Sequence, residues 1–147
     1  MKPVLLRAGE GERVEMGAAR VDIKATGEDT SGSFYLGEVE LPPGFPGPPP
    51  HVHDRLNDMF FVIEGTLTVR LGNEERRAEP GTFVCVPPGI VHTFSNPGAT
   101  LVRFLNFNTP AGWERYMRDL AAASREGRTP TSEEIGRIAA RYDFRAV

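Results

Sequence analysis

The chain is poor in the residues that would tie it together covalently, having one cysteine, Cys85, one tryptophan and three histidines in 147 residues. A lone cysteine excludes an internal disulfide, so the fold must rest on an apolar core, and this length is enough for one domain with a sizeable one. No apolar run approaches the roughly 20 residues that span a bilayer as a helix, which argues against a membrane partner. Positive charge is also scarce. The net charge is −3, and the arginines of the final third alternate with glutamate and aspartate, so no basic patch for nucleic acid forms. No basic stretch followed by an apolar one opens the chain, and the expected compartment is the cytoplasm.

What is abundant is turn chemistry: 16 glycines and 13 prolines punctuate the chain into short segments, which points to an all-β fold. Residues 4–6 and 12–25 hold short mixed runs compatible with early or edge strands. "SFYLGEVEL" from Ser33 alternates clearly, with Glu38 and Glu40 on one face and Val39 and Leu41 on the other. The proline-rich "PPGFPGPPP" then forms a stiff loop that delivers His51 in extended geometry. "MFFVI", Glu64-Gly65 and "TLTVRL" read as a hairpin, and Gly72-Asn73 marks the next turn. "GTFVCV", "VHTF" and "TLVRFLNF" supply further strands, a spacing that suggests a sandwich or jelly roll. After Pro110 the period changes: Trp113, Tyr116, Met117 and Leu120 make a helical stripe, and Thr131 with Glu134 forms a capping box for a second helix. The expected division is a β-barrel over residues 1–110 and a helical extension over 111–147.

In an extended strand residues i and i+2 point the same way, so His51 and His53 present two imidazoles on one face, as two ligands of one metal ion must. Asp58, Phe60 and Val62 share a face of the following strand, while the Pro87/Gly89 turn redirects the chain so that His92 and Phe94 lie on one side of theirs. The wider spacing is His51, His53, Asp58, Gly65, then Gly81, Pro87, Gly89, His92 and Asn96. This resembles both halves of the cupin motif in a single-domain member, with all three histidines in the histidine positions. The resemblance implies a cupin jelly-roll barrel and a metal centre in which His51, His53 and His92 bind a divalent transition ion: iron, manganese, nickel, cobalt, copper or zinc.

One position departs from the motif. Where Asp58 stands, the family usually has glutamate, often the fourth ligand and a catalytic base. Aspartate is shorter by about 1.5 Å, whereas coordination distances tolerate only about ±0.2 Å. Either the backbone compensates, or Asp58 leaves the ion and orients a histidine or a bound water. Asn57 occupies an alternative slot, with the wrong parity if Phe60 and Val62 face inward. Phe60, Val62 and Phe94 are the expected pocket residues. Cys85 reads as a small buried hydrophobe, and Arg103 as a solvent-facing residue of an apolar strand.

"FNTPAGWERYMRDL" and the helix after it look like the extension of single-domain cupins similar to quercetin 2,3-dioxygenase, in which the tail packs on the barrel. That resemblance implies a metal-dependent dioxygenase that cleaves a carbon–carbon bond in a small enolic, phenolic or carboxylate substrate, working as a homodimer. The other readings are a metal-dependent isomerase or decarboxylase, and a cupin that binds a small molecule without chemistry.

Overall fold

The computed structural model describes residues 2–124 and 131–147. Among the described residues, eleven strands and three helices follow the turn pattern of the chain: β1 (Glu12–Met16), β2 (Ala19–Ala25), α1 (Gly27–Thr30), β3 (Tyr35–Leu41), β4 (His51–Val52), β5 (Asn57–Glu64), β6 (Leu67–Leu71), β7 (Glu74–Ala78), β8 (Phe83–Val86), β9 (His92–Ser95), β10 (Val102–Thr109), α2 (Trp113–Ala123), α3 (Ser132–Ala139) and β11 (Arg145–Ala146). Residues 4–6 form no strand.

The strands make two antiparallel sheets, one of six strands in the order β1-β2-β3-β10-β5-β8 and one of five in the order β11-β4-β9-β6-β7. Alternation decides which side chains lie between them. In β3, Tyr35, Val39 and Leu41 turn inward while Glu38 and Glu40 stay outside, and in β10 the inward set is Val102, Phe104, Asn106 and Asn108. Their apolar members join Val21, Ile23, Phe60, Val62, Leu67 and Val69 in one buried cluster. Interdigitated side chains from two facing sheets make the jelly-roll core.

Two outward positions differ from the sequence-based expectation. Cys85 is exposed rather than buried, because inward Val84 and Val86 leave residue 85 on the outer face of the edge strand β8. Arg103 is also on an outer face, but it is paired: its Nη1 donates to Glu38 Oε1 at 3.0 Å, and its Nε lies 3.5 Å from Glu64.

The loop before β4 is locked against β9. Gly47 has φ +79°, and a Cβ there would stand 1.7 Å from the Phe94 carbonyl oxygen, so only glycine allows this approach. Asn96 pins the same loop from inside: its buried amide donates to the carbonyls of Leu41, Pro42 and Thr100. On the other flank, α2 carries a buried glutamate, Glu114, whose carboxylate accepts from the backbone N–H groups of Gly27 and Gly112 at 2.7 and 2.9 Å. Helix α3 begins with the expected capping box between Thr131 and Glu134. The segment beyond it is not only helical, since β11 pairs with β4. Among the described residues, no helix is long and apolar enough to cross a membrane.

Candidate metal centre

Four side chains meet at one end of the space between the sheets. His51 is on β4 and His92 on β9, directly opposite each other in the register. His53 follows β4 immediately, and Asp58 reaches in from β5 of the other sheet. All four are buried, with exposures of 2%, 1%, 2% and 6% for His51, His92, His53 and Asp58. One donor atom from each lies within 4.8 Å of the others.

The imidazoles are oriented by the main chain. Nδ1 of His51 meets the Pro49 carbonyl at 2.9 Å, and Nδ1 of His92 meets the Ile90 carbonyl at 2.9 Å. Nδ1 of His53 meets the carbonyl of Asp143, far along the sequence. A carbonyl only accepts, so each Nδ1 carries a proton and, in the neutral ring, each Nε2 presents a lone pair. Burial pushes the His51 imidazole down to about 4, leaving it neutral at pH 7. For His53 burial acts in the same direction, but the partnership with Asp58 and the Asp143 carbonyl outweighs it and raises its pKa.

Asp58 is held by its other end. Its Oδ1 accepts from the amides of Asn106 and Asn108, each at 2.7 Å, while Oδ2 faces Nε2 of His92 at 3.1 Å and Nε2 of His53 at 3.6 Å. Burial alone would raise this carboxyl, but interaction with His53 and His92 prevails and holds it well below the usual carboxylate range. The shorter side chain therefore still reaches the cluster. Asn57, by contrast, turns away and donates toward Thr109.

With the Nδ1 positions committed, lone pairs and a carboxylate oxygen face one another in a buried space, and only a cation reconciles them. A proton can serve one imidazole; a divalent metal ion serves all four donors at once. The donor set of three nitrogens and one oxygen fits such an ion.

Above Asp58 opens a cavity of about 690 Å³. Its wall is mainly apolar, with Leu41, Phe94, Phe104, Met117 and Leu120 among the residues that form it. Phe94 thus lies on the wall. Phe60 and Val62, 1% and 0% exposed, pack in the core behind it, Phe60 against the rings of Phe94 and Phe104. Arg13 at the rim is engaged by Asp22 at 2.8 Å.

Several neighbours of the cluster escaped the sequence reading. Asn106 and Asn108 could have been found, since they continue the inward register of Phe104 on β10. Trp113, which reads as helix packing, stands edge-on to His53 at 5.4 Å. Phe144 stacks on His51 at 4.4 Å, and neither it nor Asp143 has a local signal.

The geometry agrees with the relatives of this chain. The profile of the cupin domain family matches residues 37–108, the stretch that contains all four clustered side chains. Quercetin 2,3-dioxygenase of Bacillus subtilis (strain 168) is 32% identical over 92 residues, 63% of this chain and 27% of that protein. The tetracenomycin polyketide synthase protein TcmJ of Streptomyces glaucescens is 38% identical over 69 residues, 47% of this chain and 44% of the relative. The chain thus spans less than half the length of either. Among solved structures, KdgF from Halomonas sp. superposes with a TM-score of 0.67 at 18% identity, covering 78% of this chain and 99% of its own, a likeness of fold alone. Two facing antiparallel sheets, histidines on two neighbouring strands aimed at one point between them, and a family profile running through those same strands make this chain a member of the cupin superfamily.

Proposed function

We propose that His51, His53, His92 and Asp58 hold a divalent transition metal ion, and that the protein is a dioxygenase-type enzyme acting on a small, largely apolar enol or phenol. The observation that carries this reading is the convergence of three imidazoles and one carboxylate, the last of which, Asp58, also lines a mainly apolar cavity. The likeness to a quercetin 2,3-dioxygenase supports the choice of reaction class.

When bound, the ion would supply a Lewis-acidic position that favours an anionic oxygen ligand and, if redox-active, a path for electrons from the substrate to dioxygen. The residues of the chain do the rest. Three neutral imidazoles and one carboxylate leave a single net positive charge on a divalent ion, which suits a singly deprotonated hydroxyl. Among the described residues the cavity wall offers no uncommitted cation for a carboxylate, because Arg13 is paired with Asp22, which favours enols and phenols over acids. Asp58 acts as ligand rather than base, since Oδ1 is occupied by two amides and a carboxyl held so low is a poor proton acceptor.

The test begins with elemental analysis of protein purified without added metal. His51→Ala and His92→Ala are expected to lose most bound metal and keep the fold by circular dichroism; unchanged occupancy refutes the metal assignment. Turnover of quercetin or related enols in air but not under argon supports the dioxygenase. Equal turnover without oxygen favours an isomerase or decarboxylase, and saturable binding with no turnover under any metal favours a binding protein.

A further inference from the structure

Two of the three histidines orient themselves locally. His51 and His92 each donate to a carbonyl two residues earlier in the chain, on Pro49 and Ile90. His53 has no such neighbour as its partner; its Nδ1 is satisfied by the carbonyl of Asp143. The same residue uses its carboxylate as well. Asp143 Oδ1 accepts from the N–H of Asp54 at 2.6 Å, and Oδ2 from those of Arg55 and Leu56 at 2.8 and 2.7 Å. These three amides form the turn that joins His53 to β5 and so to Asp58. One residue therefore fixes the tautomer of one donor and the spacing to another.

The flanking residues extend this contact. Arg145 and Ala146 pair with Val52 and His51 on the edge of β4 not used by β9, and Val147 N donates to the Pro50 carbonyl at 3.0 Å. Phe144 lies flat against the His51 ring, with an interplanar angle of 22°. It also stacks near Tyr116 and Trp113, the latter edge-on to His53. Residues 143–147 thus touch two of the three imidazoles and lie outside the stretch shared with the family profile.

We propose that Asp143 is a positioning residue of the metal centre, so that metal binding and docking of residues 143–147 onto β4 are thermodynamically coupled. The inference rests on the reading that the cluster binds a metal. Partners that orient a metal-binding imidazole typically change affinity by about 10–100-fold when removed, and coupling is reciprocal: what docking gives to the metal, the metal returns to docking.

The experiment uses the metal-free full chain and Co²⁺ alone, followed by the visible d–d spectrum. Asp143→Ala keeps the carbonyl but removes the carboxylate that ties it to the 54–56 turn; with the carbonyl no longer held against His53, the variant is expected to bind Co²⁺ at least about 10-fold more weakly, with an altered band pattern. Asp143→Asn, which keeps an acceptor oxygen, should recover part of the affinity. As a control, Arg118→Ala breaks the ion pair with Glu12 away from the cluster and should leave Co²⁺ affinity and spectrum as in wild type. Hydrogen exchange on wild type provides a readout that needs no variant: Co²⁺ should slow exchange at the amides of Asp54, Arg55, Leu56 and Val147. Wild type that binds no Co²⁺ overturns the metal reading and this inference with it. Wild-type binding combined with unchanged affinity in Asp143→Ala, or with exchange at those amides indifferent to Co²⁺, overturns the coupling alone.

Discussion

Replacing Asp58 with asparagine separates charge from shape at the centre. The carboxamide is nearly isosteric, and its oxygen can take over the two donors that Asp58 Oδ1 receives from Asn106 and Asn108. Its NH₂ then lies where Oδ2 stood, 3.1 Å from Nε2 of His92 and 3.6 Å from Nε2 of His53. A donor now stands where an acceptor did, so the variant can neither ligate a cation at this position nor pair with a protonated imidazole. Metal at about 100 times its Kd stabilises the wild type by about 2.7 kcal/mol. At roughly 3–4 °C per kcal/mol for a chain of this size, that is a rise in Tm of about 10 °C. A loss of affinity of about 100-fold in Asp58→Asn leaves about 0.4 kcal/mol at the same metal concentration, a rise of about 1–2 °C. The metal-free variant should melt lower than metal-free wild type, because it loses the carboxylate that the imidazoles stabilise. Thermal unfolding with and without metal measures both quantities. An equal metal-dependent rise in variant and wild type refutes Asp58 as a ligand. A metal-free variant as stable as metal-free wild type refutes the pairing of the carboxylate with His53 and His92.

Acidification acts on the same groups in the metal-free protein. His51 has a folded pKa of about 4 against 6.5 for the free group. The unfolded chain therefore binds more protons between these values, and stability is complete above pH 6.5 and falls toward pH 4, by on the order of 3 kcal/mol from this residue. Asp58, also lowered, adds a further loss below pH 3.8, whereas raised His53 contributes in the opposite sense above pH 6.5; urea titrations across this range measure the slope. Asn96→Ala should cost about 2–4 kcal/mol in urea unfolding, because one buried and two partly buried carbonyls lose a donor. Glu114→Ala strands two backbone N–H groups between α1 and α2 and should cost about 2–3 kcal/mol in urea unfolding.

How much of this was legible in the chain depended on range. Alternation placed Glu38 outside and Val39 inside, and it set Asp58, Phe60 and Val62 on one buried face, because a period of two is a local property of a strand. The motif spacing brought His92 to His51 for the same reason: both lie on short strands whose ends are marked by proline and glycine. The reach of Asp58 was not decidable from spacing, since it depends on how closely β5 approaches β4 across the core. Cys85 was misread because its strand is apolar on both faces and lies at a sheet edge, where the outer side has no cover. Asp143 was beyond reach altogether. It lies 90 residues from His53, and a carboxylate accepting backbone N–H groups leaves no pattern in composition or period.

The carbonyls of Pro49, Ile90 and Asp143 set the pitch of the three imidazoles, and on the cavity wall Asp58, Trp113 and Phe144 meet the rings while Phe94, Met117 and Leu120 face the space beyond. Phe94, Met117 and Leu120 can therefore be exchanged for larger, smaller or more polar residues while the rings keep their aim. A lineage built this way can drift from one substrate to another by ordinary point changes, never passing through an ancestor whose reactive centre was broken. A designer who wants a new guest in this cavity inherits the same freedom.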